Sequence, residues 1–263
     1  MRMRLTTFAA AAAAIALSVH TASARIGETI SWIVEGQARG AIVYPPLRDS
    51  ANGRPPLVLS FHGHGDRIET FQFTMMDRAW PEAVVVYFQG LPRRDSGLPG
   101  WQTEQGQDGD RDLKLVDVAL ASLRQRFRVD DARIYATGFS NGGHFTYLLW
   151  AARPDVFAAY APVAARLRPS VQLHRPTPLF HVAGSRDTVV AFADQEKAID
   201  AARRVNGVTG KGASCGPSCT MYDSAAKTPV MTWIHDGGHE YPDTASDRIA
   251  RFFREHSLSA AAR

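Results

Sequence analysis

The chain has 263 residues, of which 45% are apolar and 21% charged, with a formal net charge of +4. These values suit a large globular α/β unit that buries its core without metal or disulfide staples, and they argue against a disordered chain. The basic residues are scattered, and without Arg2 and Arg4 the charge falls to about +2, so there is no electrostatic footprint for nucleic acid.

The first 24 residues read as a secretory signal peptide. Arg2 and Arg4 make a basic start, an apolar run follows, and Ala22-Ser23-Ala24 is a small-residue cleavage site. The run is too short to span a bilayer comfortably, so no stable membrane anchor is expected. Residues 25–263 are expected to form one domain exported to the periplasm or medium. Cys215 and Cys219 are the two cysteines. In an exported chain they are candidates for a disulfide that closes a very small loop.

Strands are expected at 29–34 and 40–45, then at 57–61 and 83–88, where apolar residues run nearly without break. Further strands are expected at 133–137, 157–163, 178–182 and 230–234. Such runs suit a sheet covered on both faces. Helical spacing marks 112–127, with Val116, Leu120, Leu123 and Phe127 on one face, and 245–256, with Ile249, Phe252 and Phe253. A third helix is expected over 141–152, stopped before Pro154. Strands alternating with helices predict an α/β fold with a mostly parallel central sheet and helices on both faces. In such folds the chemistry lies beyond the carboxyl ends of the strands.

Two stretches match the pattern G-x-S-x-G, one centred on Ser140 (TGFSNGGHF) and one on Ser214 (GASCG). The pattern arises by chance in about one chain of this length in ten. A reactive serine of this type needs a strand before it and a helix after it, so that a sharp turn lifts the hydroxyl above the sheet edge. Ser140 has that context. Ser214 lacks it and is expected to be a loop residue.

A serine hydroxyl needs a base to take its proton, and the base needs an orienting carboxylate. In this architecture the chain order is serine, acid, histidine. Asp187, in the loop after the strand at 178–182, is the expected acid. Asp194 and Glu196 are weaker candidates because they fall on the next predicted helix. His239, in the glycine-rich loop after the last strand, is the expected base. The backbone N–H groups of Asn141 and His64 are the expected oxyanion donors. His62-x-His64-x-Asp66 also begins a metallo-hydrolase pattern, but Arg67 stands where a further ligand is needed, so no metal site is expected.

The ordered set FHGHGD, YATGFSNGG, HVAGSRDTVV and HDGGHEYP resembles the exported polyhydroxybutyrate depolymerase and feruloyl esterase-like group of the α/β-hydrolase superfamily. The resemblance covers about residues 40–254. It implies an α/β-hydrolase fold, a Ser140-Asp187-His239 triad acting through an acyl-enzyme, and no cofactor. It also implies a substrate cleft near Trp101. Tyr241 stands where the group often has Trp and implies an aromatic wall of altered shape. His144 stands where a small residue or Met is common, either facing the pocket or simply riding on its helix. No surface-binding domain is recognisable, which favours soluble esters or oligoesters over solid polyester. A serine peptidase of the same fold and a non-catalytic binding protein are the alternative readings.

Overall fold

The computed structural model describes residues 26–258. The expected signal peptide lies outside them. The strands in chain order are β1 (Glu28–Val34), β2 (Gln37–Tyr44), β3 (Leu57–Phe61), β4 (Val84–Phe88), β5 (Leu91–Pro92), β6 (Pro99–Gly100), β7 (Ile134–Phe139), β8 (Ala159–Val163), β9 (Leu179–Gly184), β10 (Ala213–Gly216), β11 (Cys219–Tyr222) and β12 (Val230–His235). The α-helices are α1 (Ile68–Phe71), α2 (Met76–Ala79), α3 (Arg111–Phe127), α4 (Asn141–Ala152), α5 (Phe192–Val205) and α6 (Ala245–Arg254).

Ten strands form one sheet in the order β1-β2-β4-β3-β7-β8-β9-β12-β11-β10. The stretch from β4 to β12 is parallel throughout. Antiparallel hairpins extend it at both ends. The parallel strands are rich in β-branched and aromatic residues, and β3, β4, β8 and β9 are buried along their whole length. Side chains alternate across the pleat. Leu57, Leu59 and Phe61 of β3 therefore join one core with Leu120 of α3, Phe145 and Leu149 of α4 and Ile199 of α5. Val58 faces the other core, with Phe71 of α1, Met76 of α2 and Ile249, Phe252 and Phe253 of α6. This is the α/β-hydrolase architecture.

The strands beginning at Ile134 and Leu179 run two residues further than the apolar runs suggested, to Phe139 and Gly184. The segment around Ser214 differs more. It is a strand, β10, rather than a loop, and all four of its residues are exposed. An edge strand with no buried face carries no alternation to read. Pairing with β11 and the Cys215–Cys219 disulfide hold it.

One buried ion pair braces the approach to the sheet's carboxyl edge. Arg39 of β2 donates to Asp112 of α3 at 2.6 Å, with both side chains almost fully buried. The other Asp112 oxygen accepts from the Gln102 N–H at 2.7 Å. Burial pulls the Arg39 guanidinium below its usual pKa, against the influence of Asp112. Asp112 thus links β2, α3 and the segment holding Trp101 to Thr103.

Candidate active site

The turn from β7 into α4 presents Ser140. Its backbone lies at φ 53°, ψ −115°, a conformation that costs a non-glycine residue on the order of 1–3 kcal/mol. Two hydrogen bonds hold the turn. The Ser140 N–H donates to Val163 O of β8, and the His144 N–H donates to Ser140 O, each at 2.9 Å. The glycines follow from crowding. A Cβ on Gly138 would lie 2.5 Å from the Gly142 carbonyl carbon, and one on Gly142 would overlap Phe61 O.

Asp187 follows β9 and is almost fully buried. Its Oδ1 accepts from the Val189 and Val190 N–H groups at 2.9 Å each. Its Oδ2 faces Nδ1 of His239 at 2.8 Å and accepts from Nε2 of Gln195 on α5 at 2.9 Å. Nε2 of His239 lies 2.9 Å from Ser140 Oγ. A carboxylate only accepts, so Nδ1 carries the imidazole proton and Nε2 receives the serine hydroxyl. Three residues separated by 47 and 52 positions or more in sequence thus form one hydrogen-bonded chain. Phe139 supports the imidazole, with ring centroids 5.0 Å apart.

The chain of contacts continues inward. Gln195 Oε1 lies 3.3 Å from His181 Nε2, and His181 Nδ1 lies 2.7 Å from the Tyr147 hydroxyl. Burial pushes His181 down to about 4 and raises the Tyr147 phenol. Sequence reading did not single out Gln195 or His181. A glutamine near the start of an amphipathic helix carries no signal until its neighbours are known.

Ser140 opens into a cavity of about 410 Å³ that His64, Asn141 and His144 also line. Asn141 is the first residue of α4, where a backbone N–H has no carbonyl within the helix to bond. Its side chain is occupied elsewhere, accepting from the Trp101 N–H at 2.7 Å and donating to Trp101 O at 3.1 Å. His62 and His64 separate in role. His62 is buried, with Nδ1 2.6 Å from Gly63 O and Nε2 accepting from the Gly90 N–H at 2.9 Å. It ties the loop after β3 to the end of β4. His64 is exposed to the cavity. His144 lines the cavity too. Burial, and then the nearby Arg166 and Arg168, push its pKa down to about 3.

Two expected cleft residues lie elsewhere. Trp101 does not line the cavity. Its ring is fully buried against Phe61 and Phe145, and its Nε1 donates to His62 O at 2.9 Å. It supports the loop that carries His64. Tyr241 is also buried, packed against Phe71, Phe73 and Phe139, with its hydroxyl 2.8 Å from Ser246 Oγ. Both aromatic rings went to the core because the adjoining Phe residues offered apolar partners. The cavity walls include Arg93, Arg166 and Arg168 instead, which sequence reading missed.

A second cavity, about 500 Å³, lies between the β10–β11 hairpin and α6. Neither serine nor histidine is among its described lining residues, and the Cys215–Cys219 disulfide forms part of its wall.

Fold and site together define an α/β-hydrolase-type protein whose serine, histidine and aspartate are in hydrogen-bonding contact. The chain is 30% identical over 171 residues to a bifunctional acetylxylan esterase/xylanase of Neocallimastix patriciarum, an overlap of 62% of this chain and 23% of that one. It is 26% identical over 237 residues to feruloyl esterase B of Piromyces equi, an overlap of 78% of this chain and 43% of that one. The chain therefore spans less than half the length of either relative. Among solved structures it is similar to an acetyl xylan esterase from Aspergillus awamori, with a TM-score of 0.67 at 14% identity, covering 87% of this chain and 99% of that one. No protein-family model matches the chain. The expected resemblance to the feruloyl esterase-like α/β-hydrolases is borne out by these relatives.

Proposed function

We propose that the protein is a serine carboxylic ester hydrolase acting through an acyl-enzyme on soluble esters or oligoesters, of feruloyl esterase-like or polyhydroxybutyrate depolymerase-like type. The observation that carries this reading is the continuous hydrogen-bonded chain from Ser140 through His239 to the buried Asp187.

Ser140 Oγ attacks the ester carbonyl carbon while His239 Nε2 takes its proton. Asp187 holds the imidazole in the tautomer that leaves Nε2 free and stabilises the imidazolium. The carbonyl oxygen becomes an oxyanion, held by the N–H groups of Asn141 and His64. The carbon–oxygen bond to the alcohol then breaks, and His239 returns the proton to the departing alkoxide. Water, deprotonated by His239, attacks the acyl-enzyme, releases the acid and restores Ser140. Every proton is returned, and no redox partner or cofactor enters.

The polypeptide is exported after removal of residues 1–24, and residues 25–263 act as one catalytic unit. The Cys215–Cys219 disulfide supports an oxidising compartment. No helix among the described residues is long and apolar enough to cross a membrane.

The test is covalent labelling with a fluorophosphonate, located by mass spectrometry, alongside a panel of acetyl, feruloyl, short-chain aryl and hydroxybutyrate-oligomer esters. Label on Ser140 with ester turnover supports the reading. Amide cleavage exceeding ester cleavage would point to a peptidase, and an unlabelled protein to a binding role.

A further inference from the structure

We infer that the cavity beside Ser140 accepts esters carrying a free carboxylate close to the scissile bond, with Arg166 and Arg168 as the carboxylate-binding pair. This rests on the esterase reading above.

The first observation is what lines the cavity. Small-molecule pockets are mostly apolar, with a few placed polar groups. Here three arginines, Arg93, Arg166 and Arg168, face a single lining carboxylate, Asp95, and among the described lining residues Val189 and Val190 are the aliphatic ones. The aromatic rings that would flank a neutral aryl group, Trp101 and Tyr241, are in the core.

The second observation is which donors remain open. Arg93 is committed, with Nε and Nη2 on Asp95 at 3.0 and 2.5 Å and Nη1 on Trp101 O at 2.8 Å. Arg166 makes one long contact, Nη1 to Asp194 Oδ2 at 3.4 Å. Arg168 sends Nε and Nη2 to the same oxygen of Glu104, at 3.2 and 2.9 Å, on a carboxylate that is 38% exposed. A carboxylate arriving in the cavity therefore meets guanidinium donors that are free or held at the rim. The planar fork of arginine suits a carboxylate better than a point charge does.

The third observation is rigidity. Arg166 and Arg168 follow β8 directly. Val163 O of that strand accepts the Ser140 N–H, and Ala165 packs so closely on α4 that a Cβ on Gly143 would lie 2.5 Å from its own. The segment bearing the arginines is thus fastened to the turn bearing the nucleophile. His144 stays uncharged beside them at neutral pH, so the cavity's positive charge sits on the guanidinium groups.

The substrate class is a half-ester of a dicarboxylic acid, or an ester of a hydroxy acid with a free carboxylate. Two matched pairs separate these. On the acyl side, 4-nitrophenyl hemisuccinate is compared with 4-nitrophenyl butyrate. On the alcohol side, 3-acetoxybenzoate is compared with phenyl acetate. In at least one pair, kcat/KM for the anionic ester should exceed that for its neutral match by about tenfold, and the ratio should shrink in about 0.5 M sodium chloride. Arg166→Gln, alone and with Arg168→Gln, should lower that ratio by about tenfold, and Arg166→Lys should restore part of it. Using the ratio cancels any loss of folded protein. Neutral esters cleaved as fast as their anionic partners, or a ratio that the arginine variants leave unmoved, would overturn this inference and leave the esterase reading standing. Failure to cleave all four esters, with Ser140 unlabelled by the fluorophosphonate, would overturn both.

Discussion

Gln195 Nε2 donates at 2.9 Å to Asp187 Oδ2, the same oxygen that faces His239 Nδ1. Gln195 is fully buried, and its other amide atom faces His181. It therefore fixes the direction of the carboxylate from behind. Gln195→Met, similar in shape but unable to bond, should lower kcat roughly tenfold with a smaller change in KM, because it misorients Asp187 while the cavity loses only a bond to the Val190 backbone. It should also cost about 1–3 kcal/mol of stability by stripping buried partners. Steady-state kinetics and urea unfolding read the two effects separately.

Ser140 and Ser214 share a sequence pattern and nothing else. Ser140 meets His239, whereas Ser214 lies on an exposed edge strand. Ser140→Ala should reduce cleavage of a chromogenic short-chain ester by roughly ten-thousand-fold, and Ser214→Ala should leave it within about twofold. Loss in the second variant with retention in the first would reverse the assignment.

Gly142 faces the carbonyl of Phe61 so closely that no Cβ fits. Gly142→Ala must push α4 away from β3, which displaces both the Ser140 turn and the loop bearing His64. A destabilisation of about 3 kcal/mol or more is expected, with activity lost in whatever protein still folds. Thermal unfolding followed by circular dichroism measures it.

Acid should unfold the protein early. Burial depresses His181 to about 4 and His144 to about 3, from the ordinary 6.5. Both stay neutral in the folded state over a pH range in which the unfolded chain binds protons. Their contribution is complete above about pH 6.5 and falls away as pH drops toward the folded values. For His181 alone the loss by pH 4 is on the order of 3 kcal/mol. His181→Gln should therefore show a flatter stability curve than the parent between about pH 6.5 and 4, whatever its absolute stability. Urea unfolding at several pH values checks the slope.

The Cys215–Cys219 disulfide closes a loop of very few residues at the sheet edge. The chain-entropy model gives such a loop about 2 kcal/mol. Cys215→Ser with Cys219→Ser should lower the melting temperature by about 4–8 °C and leave ester cleavage near its parent level, since neither cysteine lines the Ser140 cavity.

Much of this was legible in the chain itself. The strand Leu57–Phe61 and the helix Asn141–Ala152 stand where apolar runs and helical spacing put them. Ser140, Asp187 and His239 were singled out by chain order, because each follows a strand whose buried residues announce it. These are local signals. Periodicity reports burial, and the glycines around Ser140 report a backbone that must pass close to something.

Tertiary structure decided the rest. Arg39 sits in a strand where a charged residue ordinarily faces water, yet it is buried, because Asp112 lies 73 positions away in sequence and next to it in space. Trp101 and Tyr241 were expected in the cleft and went to the core, since an aromatic ring serves either place and only the neighbouring Phe rings determine which. Arg166 and Arg168 carried no motif, yet packing of the segment after β8 against α4 brings them to the cavity that Ser140 lines. Chain order was enough to single out the three residues that fold into hydrogen-bonding contact. The company Ser140 keeps depends on which distant side chains the sheet folds against it, and that is a property of packing that no local pattern encodes.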